Sequence, residues 1–172
     1  MELFLIRHGI AVEATEFDGE DAERPLTKAG IVKTTKIAKQ LRKLGIGADR
    51  VVTSPLVRAL QTAVILVETG KFANSIEVHP ELSPGGDLMN FLAQLSQWQK
   101  DDGNEKEEVK RIVAVGHEPD ITEWTEKLVY GNVYHHLVIK KAGIVGIQIP
   151  TIEDAIGKSQ LFLLMPPRYL DI

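Results

Sequence analysis

Leu3-Phe4-Leu5-Ile6-Arg7-His8-Gly9 is the stretch on which the fold turns. Four apolar residues in succession, ending abruptly in an arginine and a histidine, read as a strand buried on both faces that delivers polar groups at its carboxyl end. A second run of this kind, Arg111-Ile112-Val113-Ala114-Val115, ends in Gly116-His117. Strands covered on both faces belong to a parallel sheet with helices on either side. Two of them, each closing on a histidine, suggest a site at one edge of that sheet.

The intervening chain supplies the helices. Thr27 is expected to open a helix with Ile37, Leu41 and Leu44 on one face, stopped by Gly45 and Gly47. Arg50 to Thr53 reads as a strand, and Ser54-Pro55 as the start of a helix reaching about Thr69, with serine as cap and proline in the first turn. On that helix Leu56, Leu60, Ala63 and Val67 are the expected buried stripe, while Arg58 and Thr62, four apart, share another face. Ile76 to His79 reads as a third strand, followed by a helix with Leu88, Phe91, Leu92 and Leu95 inward and a charged loop from Lys100 to Lys110. A helix over Asp120 to Tyr130 and strands over Gly143 to Ile149 and Gln160 to Leu164 complete the order. Alternating strands and helices with no internal repeat predict a three-layer α/β/α sandwich with a mainly parallel central sheet.

Size and composition bound what the fold can do. The 172 residues fit one domain, 1–172, and the 44% hydrophobic and 26% charged fractions are those of a globular protein. A net charge of −4 offers no basic footprint for nucleic acid or an anionic membrane, so any anion site must be local. The chain has no cysteine, a signal-peptide pattern is lacking at Met1 to Arg7, and no apolar stretch approaches the roughly 20 residues that span a bilayer. The expected location is the cytoplasm.

The residues that carry chemistry gather at the expected sheet edge. Arg7 and His8 follow one strand and His117 another, and Arg58 comes from the first turn of a helix, where the backbone already favours an anion. A guanidinium presents a planar fork of donors that matches phosphate oxygens, so Arg7 and Arg58 make a candidate phosphate clamp. His135-His136 is read as a surface pair rather than a metal site, since adjacent histidines in a strand point to opposite faces. Trp98 and Trp124 are read as packing residues, and the acidic stretch from Glu13 to Glu23 as a solvated loop.

Four ordered segments resemble the histidine phosphatase superfamily, also called phosphoglycerate mutase-like. They are Leu5-Ile6-Arg7-His8-Gly9, Arg24-Pro25-Leu26-Thr27 with Gly30, Ser54-Pro55-Leu56-Val57-Arg58-Ala59 with Gln61-Thr62-Ala63, and Val115-Gly116-His117. The resemblance implies that His8 attacks phosphorus and becomes a phosphohistidine while Arg7, Arg58 and His117 bind the phosphoryl oxygens, with no cofactor and no metal. Attack needs a neutral imidazole, which two nearby guanidinium charges favour. Gly9 is expected to leave room for the phosphate, and Glu118 to face the pocket as a substrate-binding residue.

One departure bears on the substrate. Family members that cleave phosphate esters usually carry a glutamate, within a Leu-x-Glu pattern, after the Arg58 helix. The matching stretch here is Glu81-Leu82-Ser83-Pro84-Gly85-Gly86-Asp87, with Pro84 in that place. Glu81 and Asp87 are the candidate substitutes as proton donor, off the family spacing. The stretch, like the short chain, is similar to the SixA branch, the phosphohistidine phosphatases, in which the leaving group is an imidazole with less need of an acid. Short connections imply an open site that a folded protein can reach. Three readings stand: a phosphatase of a phosphohistidine-containing phosphotransfer domain; a phosphomonoesterase or mutase acting on a sugar phosphate, phosphoglycerate or other small phosphorylated metabolite; and a non-catalytic phosphate-binding module.

Overall fold

The computed structural model describes residues 1–101 and 111–170. One six-stranded sheet runs through it. The strands are β1 (Glu2–Arg7), β2 (Arg50–Thr53), β3 (Ile76–Val78), β4 (Arg111–Gly116), β5 (Ile144–Gln148) and β6 (Gln160–Met165). Their spatial order is β3-β2-β4-β1-β5-β6. The pairs β2 with β3, β2 with β4 and β1 with β4 are parallel, whereas β5 runs antiparallel to both β1 and β6. The sheet is therefore mixed but mostly parallel, and the sandwich expected from the sequence is the one observed.

The four long helices are α1 (Lys28–Lys43), α2 (Val57–Gly70), α3 (Leu88–Asp101) and α4 (Asp120–Tyr130). Because side chains alternate along a strand, Leu3 and Leu5 of β1 enter one core with Phe91, Leu92, Trp124 and Leu128 of α3 and α4. Phe4 and Ile6 enter the opposite core with Ile37, Leu41, Ala63 and Leu66 of α1 and α2. Both faces of β1 are thus covered, which is why its sequence is a continuous apolar run. Trp98 and Trp124 are buried packing residues, the latter stacked on Phe91 with ring centroids 5.3 Å apart.

Helix starts and stops follow local chemistry, with three departures from expectation. Thr27 caps α1, accepting from the backbone N–H of Gly30 at 2.9 Å. Gly45, at φ +72°, turns the chain after the helix, and Leu44 lies outside the core, 58% exposed. First, α2 begins at Val57, two residues beyond the expected start, and no side chain caps it. Its buried face is Arg58, Ala59, Thr62, Ala63 and Leu66, while Leu56, Leu60 and Val67 are only half-buried. The helix is rotated so that a polar pair goes inward, which an apolar stripe alone does not reveal.

Second, α3 continues through Lys100 and Asp101. The remainder of the expected charged loop, 102–110, lies outside the described residues. Third, His135 and His136 are not in a strand. Their segment is irregular because the backbone N–H groups of Tyr134, His135, His136 and Leu137 all donate to the carboxylate of Glu126 on α4. A segment whose donors converge on one side chain cannot also form a sheet ladder. Among the described residues no helix is long and apolar enough to cross a membrane.

Candidate active site

Strand register assembles the site. In the parallel β1–β4 pair Arg7 stands opposite Gly116, so the next residues out, His8 and His117, emerge side by side beyond the sheet. Their rings are 5.0 Å apart, about the spacing of neighbouring strands. In the β2–β4 pair Thr53 stands opposite Val115, which brings Ser54 next to His117. The backbone N–H of His8 donates to Gly116 and that of Ser54 to Val115, so both residues leave the sheet on fixed backbone.

Each ring has a hydrogen-bond partner, and for His8 that partner fixes the tautomer. His8 Nδ1 is 2.7 Å from the carbonyl oxygen of Gly9. A carbonyl only accepts, so Nδ1 carries the proton and Nε2 keeps its lone pair. His117 Nε2 is 2.9 Å from Ser54 Oγ, which also accepts from the backbone N–H of Leu56 at 3.2 Å. The hydroxyl has one proton and a second lone pair to offer, so which atom donates in this bond follows the tautomer of His117. Ser54 thus serves the second histidine rather than capping α2, and the residue-type pattern had pointed only to the cap.

Both imidazoles are neutral at pH 7. Burial is the main cause in each case. It pushes His8 down to about 4, opposed by the Gly9 carbonyl and reinforced by the charges of Arg58, Arg7 and Lys141. His117 is pushed down to about 3, first by burial and then by His8 and Arg58. Guanidinium charge, the cause expected from sequence, is the lesser contribution.

The arginines are held by their outer nitrogens. Arg7 Nη1 donates to the carbonyl of Ile139 at 2.8 Å, and Arg58 Nη1 donates to the backbone carbonyl of Asp21 at 2.7 Å. The Asp21 carboxylate meets Arg58 Nη2 at 3.0 Å and Arg24 Nη2 at 2.7 Å. The acidic stretch from Glu13 to Glu23 is therefore not merely solvated, because Asp21 fastens it to the clamp and Glu13 pairs with Lys141 at 3.0 Å. Thr62 extends the same framework, donating to the carbonyl of Arg58 at 2.8 Å and accepting from the N–H of Gly9 at 3.0 Å.

Four buried side-chain nitrogens or oxygens have no hydrogen-bond partner among the described residues: Arg7 Nε, Arg58 Nε, His117 Nδ1 and Thr34 Oγ1. Three belong to this cluster. An unanswered buried donor costs on the order of 1–3 kcal/mol, more if charged, so two guanidinium N–H groups and a ring nitrogen left unanswered in the cluster of His8 mark a place built for an anion.

The remaining candidates lie elsewhere or serve other ends. A Cβ on Gly9 would come within 2.4 Å of Thr34 Oγ1 and 3.2 Å of Leu26, so the glycine permits close packing on α1. Glu118 lines a cavity of about 220 Å³ beside Arg7 and accepts from Thr122 at 3.0 Å, and burial pushes its carboxyl up. Glu81 stands 4.0 Å from His79. Asp87 accepts from the N–H groups of Met89 and Asn90 at the start of α3. Neither carboxylate is bonded to the two site histidines.

The family model described as histidine phosphatase superfamily (branch 1) matches residues 3–85. The phosphohistidine phosphatase SixA of Escherichia coli is 31% identical over 119 residues, 69% of this chain and 68% of that one. The chain belongs to the histidine phosphatase superfamily. Within it the likeness is to the SixA-type branch: a structure of the protein histidine phosphatase SixA complexed with tungstate superposes with a TM-score of 0.82 at 25% identity, covering 99% of both chains. A protein of Picosynechococcus sp. with no described function is 40% identical over 99% of each chain. The alpha-ribazole phosphatase of Shigella flexneri shares the fold, with a TM-score of 0.71 at 20% identity over 97% of both chains. As a member of this superfamily the chain is a histidine phosphatase, a hydrolase of phosphorylated substrates.

Proposed function

We propose that residues 1–172 act as a single domain that removes phosphate from phosphohistidine in a cytoplasmic signalling protein, with His8 as nucleophile. The observation that carries this is that Arg7 Nε, Arg58 Nε and His117 Nδ1 are buried without a partner in the same cluster as His8, whose Nε2 keeps its lone pair. That lone pair attacks phosphorus as the bond from phosphorus to the substrate's imidazole nitrogen breaks, and the departing nitrogen takes a proton from water. Positioned donors stabilise the charge on the equatorial oxygens during transfer. Water then attacks the phosphohistidine at His8, phosphate leaves, and neutral His8 is restored. Tungstate, bound in the SixA structure, is itself a tetrahedral oxyanion.

The substrate reading rests on where the carboxylates are. Asp87 is committed to the start of α3 and Glu81 to the side of His79, so neither is bonded to the reacting histidines. An imidazole leaving group has less need of a strong acid than an alkoxide. A second reading, hydrolysis of a small phosphate monoester, is favoured by one observation: Glu118 borders Arg7 and its carboxyl is pushed up by burial, as suits a proton donor.

A phosphohistidine protein, a phosphosugar panel and an aryl phosphate, offered to wild type, His8→Ala and Glu118→Gln, separate these readings. We expect fastest turnover of phosphohistidine, loss of all activity in His8→Ala, and little change in Glu118→Gln. Faster turnover of an alkyl monoester, lost in Glu118→Gln, would establish the second reading. Activity that survived in His8→Ala would refute both.

A further inference from the structure

A groove of about 610 Å³ borders Arg7 and shares Arg7 and Val138 with the cavity that Glu118 lines. Arg7, Lys33, Lys140, Lys141 and Arg168 line it, with Ile10, Val138 and Pro166 supplying apolar wall, and among the described residues no carboxylate lines it. These cations come from four separate parts of the chain: the end of β1, the middle of α1, the segment before β5, and the turn after β6. They are not the solvated face of one helix. In a chain with 20 basic and 24 acidic residues, the gathering of Arg7, Lys140, Lys141 and Arg168 along one groove is a local reversal of the overall charge. Val138 at its wall is 65% exposed. At the rim Glu13 already pairs with Lys141, so a carboxylate of this same chain is drawn to it.

We propose that this groove docks an acidic segment flanking the phosphohistidine of the protein substrate. The inference rests on the phosphohistidine-protein reading and adds the feature by which that protein is chosen. Arg7 links the two regions, because its Nε belongs to the phosphate cluster while its side chain also lines the groove. A phosphohistidine held at His8 therefore has its neighbouring residues directed along a wall of cations. Opposed charges across such a contact raise the encounter rate and select the partner, and the effect weakens with salt.

The test uses two synthetic phosphohistidine peptides of equal length, one flanked by glutamates and one by serines, with phosphate release as the readout. Wild type is expected to favour the glutamate peptide by about tenfold in kcat/KM at low salt, with the preference shrinking as salt is added. Lys140→Glu combined with Arg168→Glu, two exposed positions outside the phosphate cluster, should abolish or invert the preference while the serine peptide turns over as before. That unchanged turnover also shows the variant is folded, and Lys140→Ala with Arg168→Ala should give an intermediate preference. Equal kcat/KM for both peptides in wild type, or a preference retained in the charge-reversed variant, would overturn the docking proposal and leave the substrate reading intact. No turnover of either peptide would overturn both. A wild-type dimer dissolved by the charge reversal would assign the groove to a second copy and overturn the proposal.

Discussion

At His8 a single hydrogen bond fixes which nitrogen reacts, and burial fixes its charge. The expected outcome of an NMR titration of the ring nitrogens is an Nδ1-protonated neutral imidazole at pH 7, taking up its second proton only near pH 4. Because the His117 ring is 5.0 Å away, the two midpoints belong to the pair, and a midpoint near the ordinary 6.5 would contradict the buried neutral site. Ser54→Ala tests the next contact out. It removes the hydroxyl bonded to His117 Nε2, a hydrogen bond worth about 0.5–1.5 kcal/mol, so kcat should fall by up to about tenfold with thermal stability little changed. Arg7, His8, Arg58 and His117 were legible in the sequence because each follows a readable strand or helix start. Ser54 was not, because a serine before a helix reads equally as a cap and as a hydroxyl partner. Asp21 was hidden for a similar reason: one carboxylate in an acidic run carries no mark of the arginine it meets.

The elements differ in how openly their sequences declare them. β1 and β4 are continuous apolar runs because helices cover both their faces, so they were readable in sequence and their register then followed. The stripe of α2 was misjudged because Arg58 and Thr62 face inward, and inward polar residues are invisible to a search for apolar period. In the sequence His135-His136 reads as part of a strand, whereas the order of its segment comes from α4. Glu126 is fully buried and takes four backbone N–H groups from 134–137; burial pushes its carboxyl up, but those donors, Tyr134 first, hold it down at about 2. The same segment carries Ile139, whose carbonyl holds Arg7. Glu126→Gln removes the charge and turns an amide N–H toward donors that need an acceptor, which should cost about 2–4 kcal/mol. Hydrogen exchange at 134–137 is expected to accelerate, and KM to rise as Arg7 loosens. Unchanged protection there would mean that the segment is ordered by something other than this carboxylate.

For the whole molecule, the same buried groups set how stability responds to acid, the histidines from pH 6.5 downward and Glu126 only from pH 4.5 downward. His8 and His117 bind a proton less readily folded than unfolded, where the ordinary value is 6.5. From pH 6.5 down to about 4 for His8 and about 3 for His117 the unfolded chain therefore holds more protons, and stability falls as pH falls, by up to about 1.4 kcal/mol per pH unit for each ring. Glu126 acts in the same direction over a lower range: its contribution is complete above the ordinary carboxyl value of 4.5 and is lost as pH falls toward about 2. From pH 7 to pH 5 the loss should come from the histidines and amount to at most about 4 kcal/mol, read from urea midpoints. Replacing His8 and His117 together by asparagine should flatten the curve over that interval while leaving the steep fall below pH 4.5, whereas Glu126→Gln should spare the upper interval and blunt the lower one. A wild-type midpoint that did not move between pH 7 and pH 5 would mean that the two rings titrate as freely folded as unfolded. The pair would then be open to water, and a site in which buried donors await an anion would not exist.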